Sequence, residues 1–182
     1  MHASIADVVA DTAQNSIEAG ASRIEVTLAE KDGRISVVIR DDGKGMDEAT
    51  VAKAFDPFYT EEGKHDKRRV GLGLPILRQI CEATGGDVSL RSKKGEGTVL
   101  EYSFNASHID LPPMGDIAVM MTTLFNYPGE FELVFTRVKG DDEYSISRSE
   151  LSDAVGGLDS VEGLSLAREF ISSQEESLGA QC

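Results

Sequence analysis

Apolar residues recur along the chain at two spacings, one typical of helices and one of strands. From Ile5 to Ala19 they return every three or four positions, which predicts an amphipathic helix. Ser4 followed by an acid three residues later indicates its start, and Gly20 suits the position just past its last turn. From Arg23 to Leu28 every second residue is apolar, and the alternation resumes after a polar turn, which predicts a β-hairpin.

Further elements follow up to residue 105. Asp47 is placed to cap a short helix, and an irregular stretch covers 55–70. Residues 71–75 open a second strong helix, in which the proline occupies a first-turn position. Two strands are predicted at 88–91 and 98–104. The order helix, two strands, two helices, two strands predicts an α+β layer fold.

The composition changes after Asn105, where we expect a small α/β extension. An extended linker, a Met-rich helix, two strands and a closing helix are predicted at 111–113, 115–124, 131–138, 144–147 and 164–172. We therefore predict two units, residues 1–105 and residues 106–182.

Composition and charge exclude several classes of protein. The net charge of −14 argues against general affinity for nucleic acid, which needs surplus basic residues. The sequence has neither an apolar run long enough to cross a membrane nor a signal peptide, and its two distant cysteines indicate neither a disulfide framework nor a zinc site. We expect a cytoplasmic protein. Residues 106–182 carry fourteen acids and four bases, net −10, which indicates either a solvated acidic surface or a basic partner.

Polar residues and glycines that could bind a ligand or take part in catalysis lie at three places. Asp7, Asp11 and Asn15 are four positions apart and share a helix face, where an amide oxygen could hold magnesium and Asp11 could orient and deprotonate a water. A solvated helix face is the alternative. The turn 41–45 could place a carboxylate against an exocyclic amine of a flat ligand, and 71–73 could offer backbone N–H groups to phosphates. The alternatives are an ordinary surface turn and a loop that contains two glycines.

Taken together and in order, five segments resemble the histidine-kinase-like (GHKL, or Bergerat-fold) ATPases. Residues 11–21 resemble the N box, most closely in its MutL form, and 55–60 resemble the F box of sensor histidine kinases. The G1 box, the G2 box and the Gly-Thr turn have counterparts at 41–46, 70–76 and 95–98. The resemblance implies a two-layer sandwich, with a mixed, mostly antiparallel sheet and helices on one face.

The resemblance also implies ATP and Mg2+ as cofactors, with a role for each matching residue. Asn15 would coordinate magnesium, Asp41 would bond the adenine amine, and Thr98 would lie near the base. In the two glycine-rich boxes, the residues implied to contact nucleotide are Gly43, Gly45, Met46, Gly71, Leu72, Gly73 and Leu74. Segment 61–70 corresponds to the ATP lid, from which Lys64 and Arg68 would reach the phosphates; a solvated basic loop is the alternative.

Two departures from the family pattern shape the expected function. MutL-type ATPases carry Glu where this chain has the shorter Asp11, which implies slow hydrolysis. Sensor kinases carry a phospho-acceptor histidine in a helical hairpin ahead of the N box, and His2, His65 and His108 do not lie in such a helix. We therefore expect a stand-alone protein kinase or slow ATPase whose phospho-acceptor is on a separate protein. The alternative is a non-catalytic, ATP-gated binding module. Either is compatible with a homodimer.

Overall fold

A single six-stranded sheet organises the molecule. The structure, a computed structural model, describes residues 4–56 and 73–178. The helices of this part are α1 Ile5–Glu18, α2 Glu48–Lys53, α3 Gly73–Ala83, α4 Ile117–Phe125, α5 Arg148–Val155 and α6 Val161–Ser177. The strands are β1 Arg23–Lys31, β2 Arg34–Asp41, β3 Val88–Lys93, β4 Gly97–Asn105, β5 Glu132–Lys139 and β6 Asp142–Ser147.

The strand order is β3-β4-β2-β1-β5-β6. Four of the neighbouring pairs are antiparallel, and β1 with β5 is parallel. Helix α1 packs on β1 and β2, α3 on β3 and β4, and α5 on β5 and β6. The predicted α+β fold, a mixed and mostly antiparallel sheet with helices, is confirmed. None of the helices in the described residues has the length and apolar character needed to cross a membrane.

Helix α1 forms where the apolar spacing predicts it. The Ser4 hydroxyl oxygen accepts a hydrogen bond from the Asp7 backbone N–H at 3.2 Å, and the hydroxyl donates to the Asp7 carboxylate at 2.8 Å. Gly20 follows the helix with φ +73°, in the left-handed region that glycine adopts readily. Ser4 and Gly20 therefore fix both ends of the helix that carries the predicted polar stripe.

The alternation in β2 decides which side chains face the helices. Ile35, Val37 and Ile39 are buried on the inner face, and Asp41 is the next residue on that face because side chains alternate along a strand. In the register with β4, Asp41 lies opposite Thr98. A carboxylate and a hydroxyl thus stand on the helix-covered face at one rim of the sheet.

The C-terminal part belongs to the same sheet and the same hydrophobic core. Strand β5 pairs with β1, and Leu133 and Phe135 are fully buried. The division at residue 105 stays a prediction, but the strands before and after it share one sheet. Sequence periodicity missed α5, in which only Leu151 is buried, and it gave α6 fewer residues than the helix has.

At the opposite rim, the inner face of the sheet carries a buried cation. Arg137 is 2% exposed and pairs with Glu30 and, at 3.4 Å, with Glu175. The Tyr144 hydroxyl donates to Glu175 at 2.6 Å. Because an unpaired charge is very costly to bury, these partners make the arginine tolerable in the core. The cluster also joins α6 to β1, β5 and β6.

Candidate functional site

Asp41 is held in one orientation at the rim of the sheet. The Ser16 hydroxyl donates to its Oδ2 at 2.6 Å, and the backbone N–H of Gly43 donates to its Oδ1 at 2.9 Å. Ser16 is buried and Asp41 is half-buried. Hydrogen bonds to an ionised carboxylate are stronger than those between neutral groups, so Asp41 is a preorganised acceptor on the inner face.

The turn after Asp41 is closely packed where the sequence has glycine. A Cβ atom at Gly45, whose φ is +60°, would lie 2.0 Å from the Lys93 carbonyl oxygen. At Gly43 a Cβ would lie 3.1 Å from both the Ala19 Cβ and Asp41 Oδ1. A side chain at Gly45 is therefore excluded by the backbone of the β3–β4 hairpin, and one at Gly43 would crowd the carboxylate.

A group of hydroxyls ties this turn to the β3–β4 hairpin. The backbone N–H of Met46 donates to Ser92 Oγ at 2.8 Å, and Ser92 Oγ lies 2.9 Å from Thr98 Oγ1. Thr98, predicted to lie near the base, thus takes part in a hydrogen-bonded group directly opposite Asp41. Ser92 was missed in the sequence, where it is one of several polar residues in a short strand.

The polar face of α1 approaches the start of α3. Asp11 is half-buried and Asn15 is exposed. A Cβ at Gly73 would lie 2.8 Å from Asp11 Oδ2, so the Asp11 carboxylate lies beside the first turn of α3. That turn also contains Leu74, which is half-buried against the core. Asp11, predicted to act on water, and the helix start predicted to meet phosphates are therefore neighbours.

Four predicted site residues lie outside the described part of the chain. They are Lys64, Arg68, Gly71 and Leu72. Their roles at the phosphates stay predictions. The structure brings together the other predicted residues on α1, at the end of β2, in the turn that follows, on β4 and at the start of α3.

Asp42 braces the turn from its outer side. Its carboxylate accepts hydrogen bonds from the Ser22 hydroxyl and from the backbone N–H groups of Ser22, at 2.8 Å, and Arg23, at 2.9 Å. These bonds, that of the Ser22 hydroxyl above all, hold the pKa of Asp42 below its ordinary value of 3.8. The Asp42 charge thus fixes the end of β2 to the start of β1.

Below the site, α1 is fixed to the sheet by a buried hydrogen bond. Thr12 Oγ1 lies 3.0 Å from the Tyr102 hydroxyl, and both side chains are buried. Burial raises the pKa of Tyr102 far above its ordinary range, so the phenol is neutral and the bond joins two uncharged hydroxyls, either of which can donate. Thr12 lies between Asp11 and Asn15 in sequence, and its bond fixes the rotation of the helix that presents them.

Ser16 is the important site residue that sequence reasoning missed. It lies on the buried face of α1, four residues after Thr12. A hydroxyl on the apolar face of a helix must find a partner, and two of them one turn apart are the signal that could have revealed it. In the structure, one partner is a phenol of the core and the other is Asp41.

The donor set suits a magnesium nucleotide. The Asn15 side chain offers an amide oxygen of the kind that Mg2+ accepts, and its exposed position leaves room for waters and phosphate oxygens in the remaining coordination positions. Asp41 offers a carboxylate acceptor beside the turn that contains Gly43 and Gly45. The side-chain types of Asn15 and Asp41 and their positions therefore fit this ligand.

Several proteins of known class share sequence with this chain. The tetrathionate sensor histidine kinase TtrS of Salmonella typhimurium is 33% identical over 101 residues, which are 53% of this chain and 16% of that protein. The sensor histidine kinase YkoH of Bacillus subtilis is 31% identical over 93 residues, 50% of this chain and 20% of that protein. The chain thus spans about a sixth to a fifth of the length of these relatives.

One solved structure shares the fold of this chain, and another aligns with part of it. The N-terminal domain of a DNA repair protein aligns over 79% of this chain and 51% of its own, with a TM-score of 0.53 and 15% identity. The catalytic domain of the histidine kinase ThkA aligns over 56% of this chain and 64% of its own, with a TM-score of 0.43 and 25% identity. The sequence model of the family of histidine kinase-, DNA gyrase B- and HSP90-like ATPases matches residues 2–108, and the chain belongs to this family.

Proposed function

We propose that the chain binds Mg-ATP at the site formed by the polar face of α1, the turn after β2 and the start of α3. The observation that supports this best is the fixed Asp41 carboxylate, held by Ser16 and Gly43 at 2.6 and 2.9 Å. A carboxylate oriented on the covered face of the sheet beside a glycine turn can accept a hydrogen bond from the N6 amine of adenine. The membership of the family adds the expectation of ATP.

Asn15 and Asp11 would meet the phosphate end of the nucleotide. Asn15 would hold Mg2+ through its amide oxygen, and the bound ion would neutralise phosphate charge. Asp11, beside Gly73, would orient and deprotonate an attacking group. Its side chain is one methylene shorter than glutamate, so the reach to a water is shorter and slow hydrolysis is expected.

We further propose a protein kinase or slow ATPase that acts on a separate partner in the cytoplasm. His108 is the histidine within the described residues. It lies in the connection after β4, outside any helix, and is therefore poorly placed as a phospho-acceptor. The second candidate is a non-catalytic module in which ATP shifts a conformational equilibrium that a partner reads.

Calorimetric titration with Mg-ATP tests the binding step. We expect Asp41→Asn to lower ATP affinity by more than tenfold, because the amide cannot replace the charged acceptor. Asp110→Asn, the same change at an exposed residue in the connection between β4 and α4, is the matched control. Equal ATP affinities of the wild type and Asp41→Asn would contradict the site.

Incubation with Mg2+ and γ-labelled ATP, alone and with cell extract, separates the two functions. Label on another protein supports the kinase, free phosphate supports the ATPase, and bound intact ATP supports the switch. Asp11→Asn is expected to abolish phosphoryl transfer under the first reading. Under the switch reading the same change leaves partner binding nearly intact.

A further inference from the structure

A second cavity, of about 430 Å³, lies in the C-terminal part of the molecule. It is open to solvent on one side and is bordered by the end of α4, the start of β5, α5 and the turn that follows α5. Phe125, Phe131 and Leu158 give it an apolar lining, and all three are buried or nearly so. Neither the predicted nucleotide contacts nor the family match, which ends at residue 108, includes this cavity.

Arg148 forms a fixed wall of the cavity. Its Nε donates to the Phe125 carbonyl and one Nη to the Phe131 carbonyl, both at 2.8 Å. The guanidinium also lies over the Phe131 ring, with its carbon 4.2 Å from the ring centroid. The arginine therefore directs its donors at the backbone and its face at an aromatic ring, and it holds the segment between α4 and β5 in place.

Three carboxylates surround the apolar lining. Asp153 and Asp159 are exposed at the mouth, and Glu132 is half-buried and accepts from the Ser149 backbone N–H at 3.2 Å. With Arg148 as the one cation among the lining residues, the cavity has net negative charge. A partly apolar cavity bordered by carboxylates suits a long aliphatic side chain that ends in a cation.

We propose that this cavity docks a lysine or arginine side chain of a basic protein partner. The stem would lie against Phe131 and Leu158, which keep a small exposed surface, and the cationic end would pair with Asp153 and Asp159. This proposal does not depend on nucleotide binding.

A second copy of the chain is a poorer occupant. Residues 106–182 carry net charge −10, so two copies of this surface repel each other. Three of its four basic residues are engaged: Arg137 is buried, Arg148 is part of the cavity, and Arg168 pairs with Asp116 at 3.2 Å. The fourth, Lys139, is exposed. A separate protein with surplus basic charge is electrostatically complementary to this face.

The test uses two nine-residue glycine–serine peptides that differ only at the centre, one with arginine and one with citrulline, its neutral near-isostere. Each is titrated into the isotope-labelled full chain without nucleotide, and amide resonances are followed by NMR. We expect the arginine peptide to shift resonances of Ser149 and Gly157, and the citrulline peptide to bind at least tenfold more weakly. Equal binding of the two peptides, or shifts confined to other surfaces, would overturn the proposal.

Charge-removing variants locate the effect. The double variant Asp153→Asn with Asp159→Asn is expected to lower the affinity for the arginine peptide by roughly three- to tenfold. This difference should diminish with added salt. Glu143→Gln with Glu176→Gln removes the same charge from exposed positions elsewhere and should leave the affinity unchanged. Equal losses of affinity in the two double variants would show that only the overall negative charge matters, and would refute specific binding at the cavity. Self-association of the wild type that the first pair abolishes would assign the cavity to a second copy instead.

Discussion

Ser16 controls the direction of the Asp41 carboxylate. We expect Ser16→Ala to weaken ATP binding about fivefold, because Asp41 loses one of its two fixed donors and the bond contributes on the order of 1 kcal/mol. The measurement is calorimetric titration of Mg-ATP. Ser16→Thr, which keeps a hydroxyl, is the matched comparison and should lose less. An unchanged affinity in Ser16→Ala would show that the bond does not orient the acceptor.

Asp42 makes stability depend on pH in a predictable direction. Its folded-state pKa lies below the ordinary 3.8, so its charge stabilises the fold above that pH and the contribution is lost as pH falls through the folded value. The side chain is exposed, so Asp42→Asn should cost no more than about 1 kcal/mol at pH 7. The difference between variant and wild type should shrink toward pH 3, as measured by urea unfolding.

The control for that prediction is Glu169→Gln. Glu169 is an exposed residue of α6, and among residues 4–56 and 73–178 its carboxylate accepts no hydrogen bonds like those of Asp42. Its unfolding free energy should follow the wild type at both pH values. A difference between Asp42→Asn and wild type that stays constant from pH 7 to pH 3 would contradict the role given to the Asp42 charge.

At the scale of elements, the bond between Thr12 and Tyr102 anchors α1 to β4, and its two ends should differ in importance. Tyr102→Phe removes one hydrogen bond and should cost about 1 kcal/mol, whereas Thr12→Val leaves a buried phenol without a partner and should cost about 1–3 kcal/mol. Urea unfolding of the single and double variants measures the pair. The double variant should be less destabilised than the sum of the two singles; strict additivity would show that the groups do not interact.

The helices and strands that sequence analysis predicted best have one clean periodicity and marked ends. Helix α1 begins at its Ser4 cap and ends before Gly20, and the β1–β2 hairpin alternates throughout. Helix α5 was missed because it has eight residues and buries only Leu151, so its apolar pattern is too short to recognise. Its cap, Ser147, ends a strand and gave no separate signal.

The site was predicted unevenly for a physical reason. Asp41 and the glycines of the turn stand at fixed offsets along the chain, and the sequence displays such offsets. Ser16 and Ser92 reach the site through contacts between distant segments, 25 residues away in the case of Ser16 and Asp41. The burial of Arg137 was also hidden, since its partners Glu30 and Glu175 lie on other elements.

At the scale of the whole molecule, residues beyond the family match are needed to complete the sheet. A fragment of residues 1–108 would leave β1 as an open edge and would lack the buried Leu133 and Phe135. We expect it to aggregate, because an exposed edge strand pairs with other chains. Size-exclusion chromatography and urea unfolding check this. A monomeric fragment that unfolds cooperatively would show that β5 is dispensable.

The course of β1 and β5 also suggests where the molecule can be labelled. Both strands begin at the rim of the sheet that carries Asp41. Both end at the opposite rim, where Lys31 pairs with Asp141 at 3.0 Å. The tight turn at Gly140 is exposed there. A fluorescent group or affinity tag inserted at that turn would extend away from the proposed nucleotide site and from the cavity beside α5, so both could be assayed on the same tagged molecule.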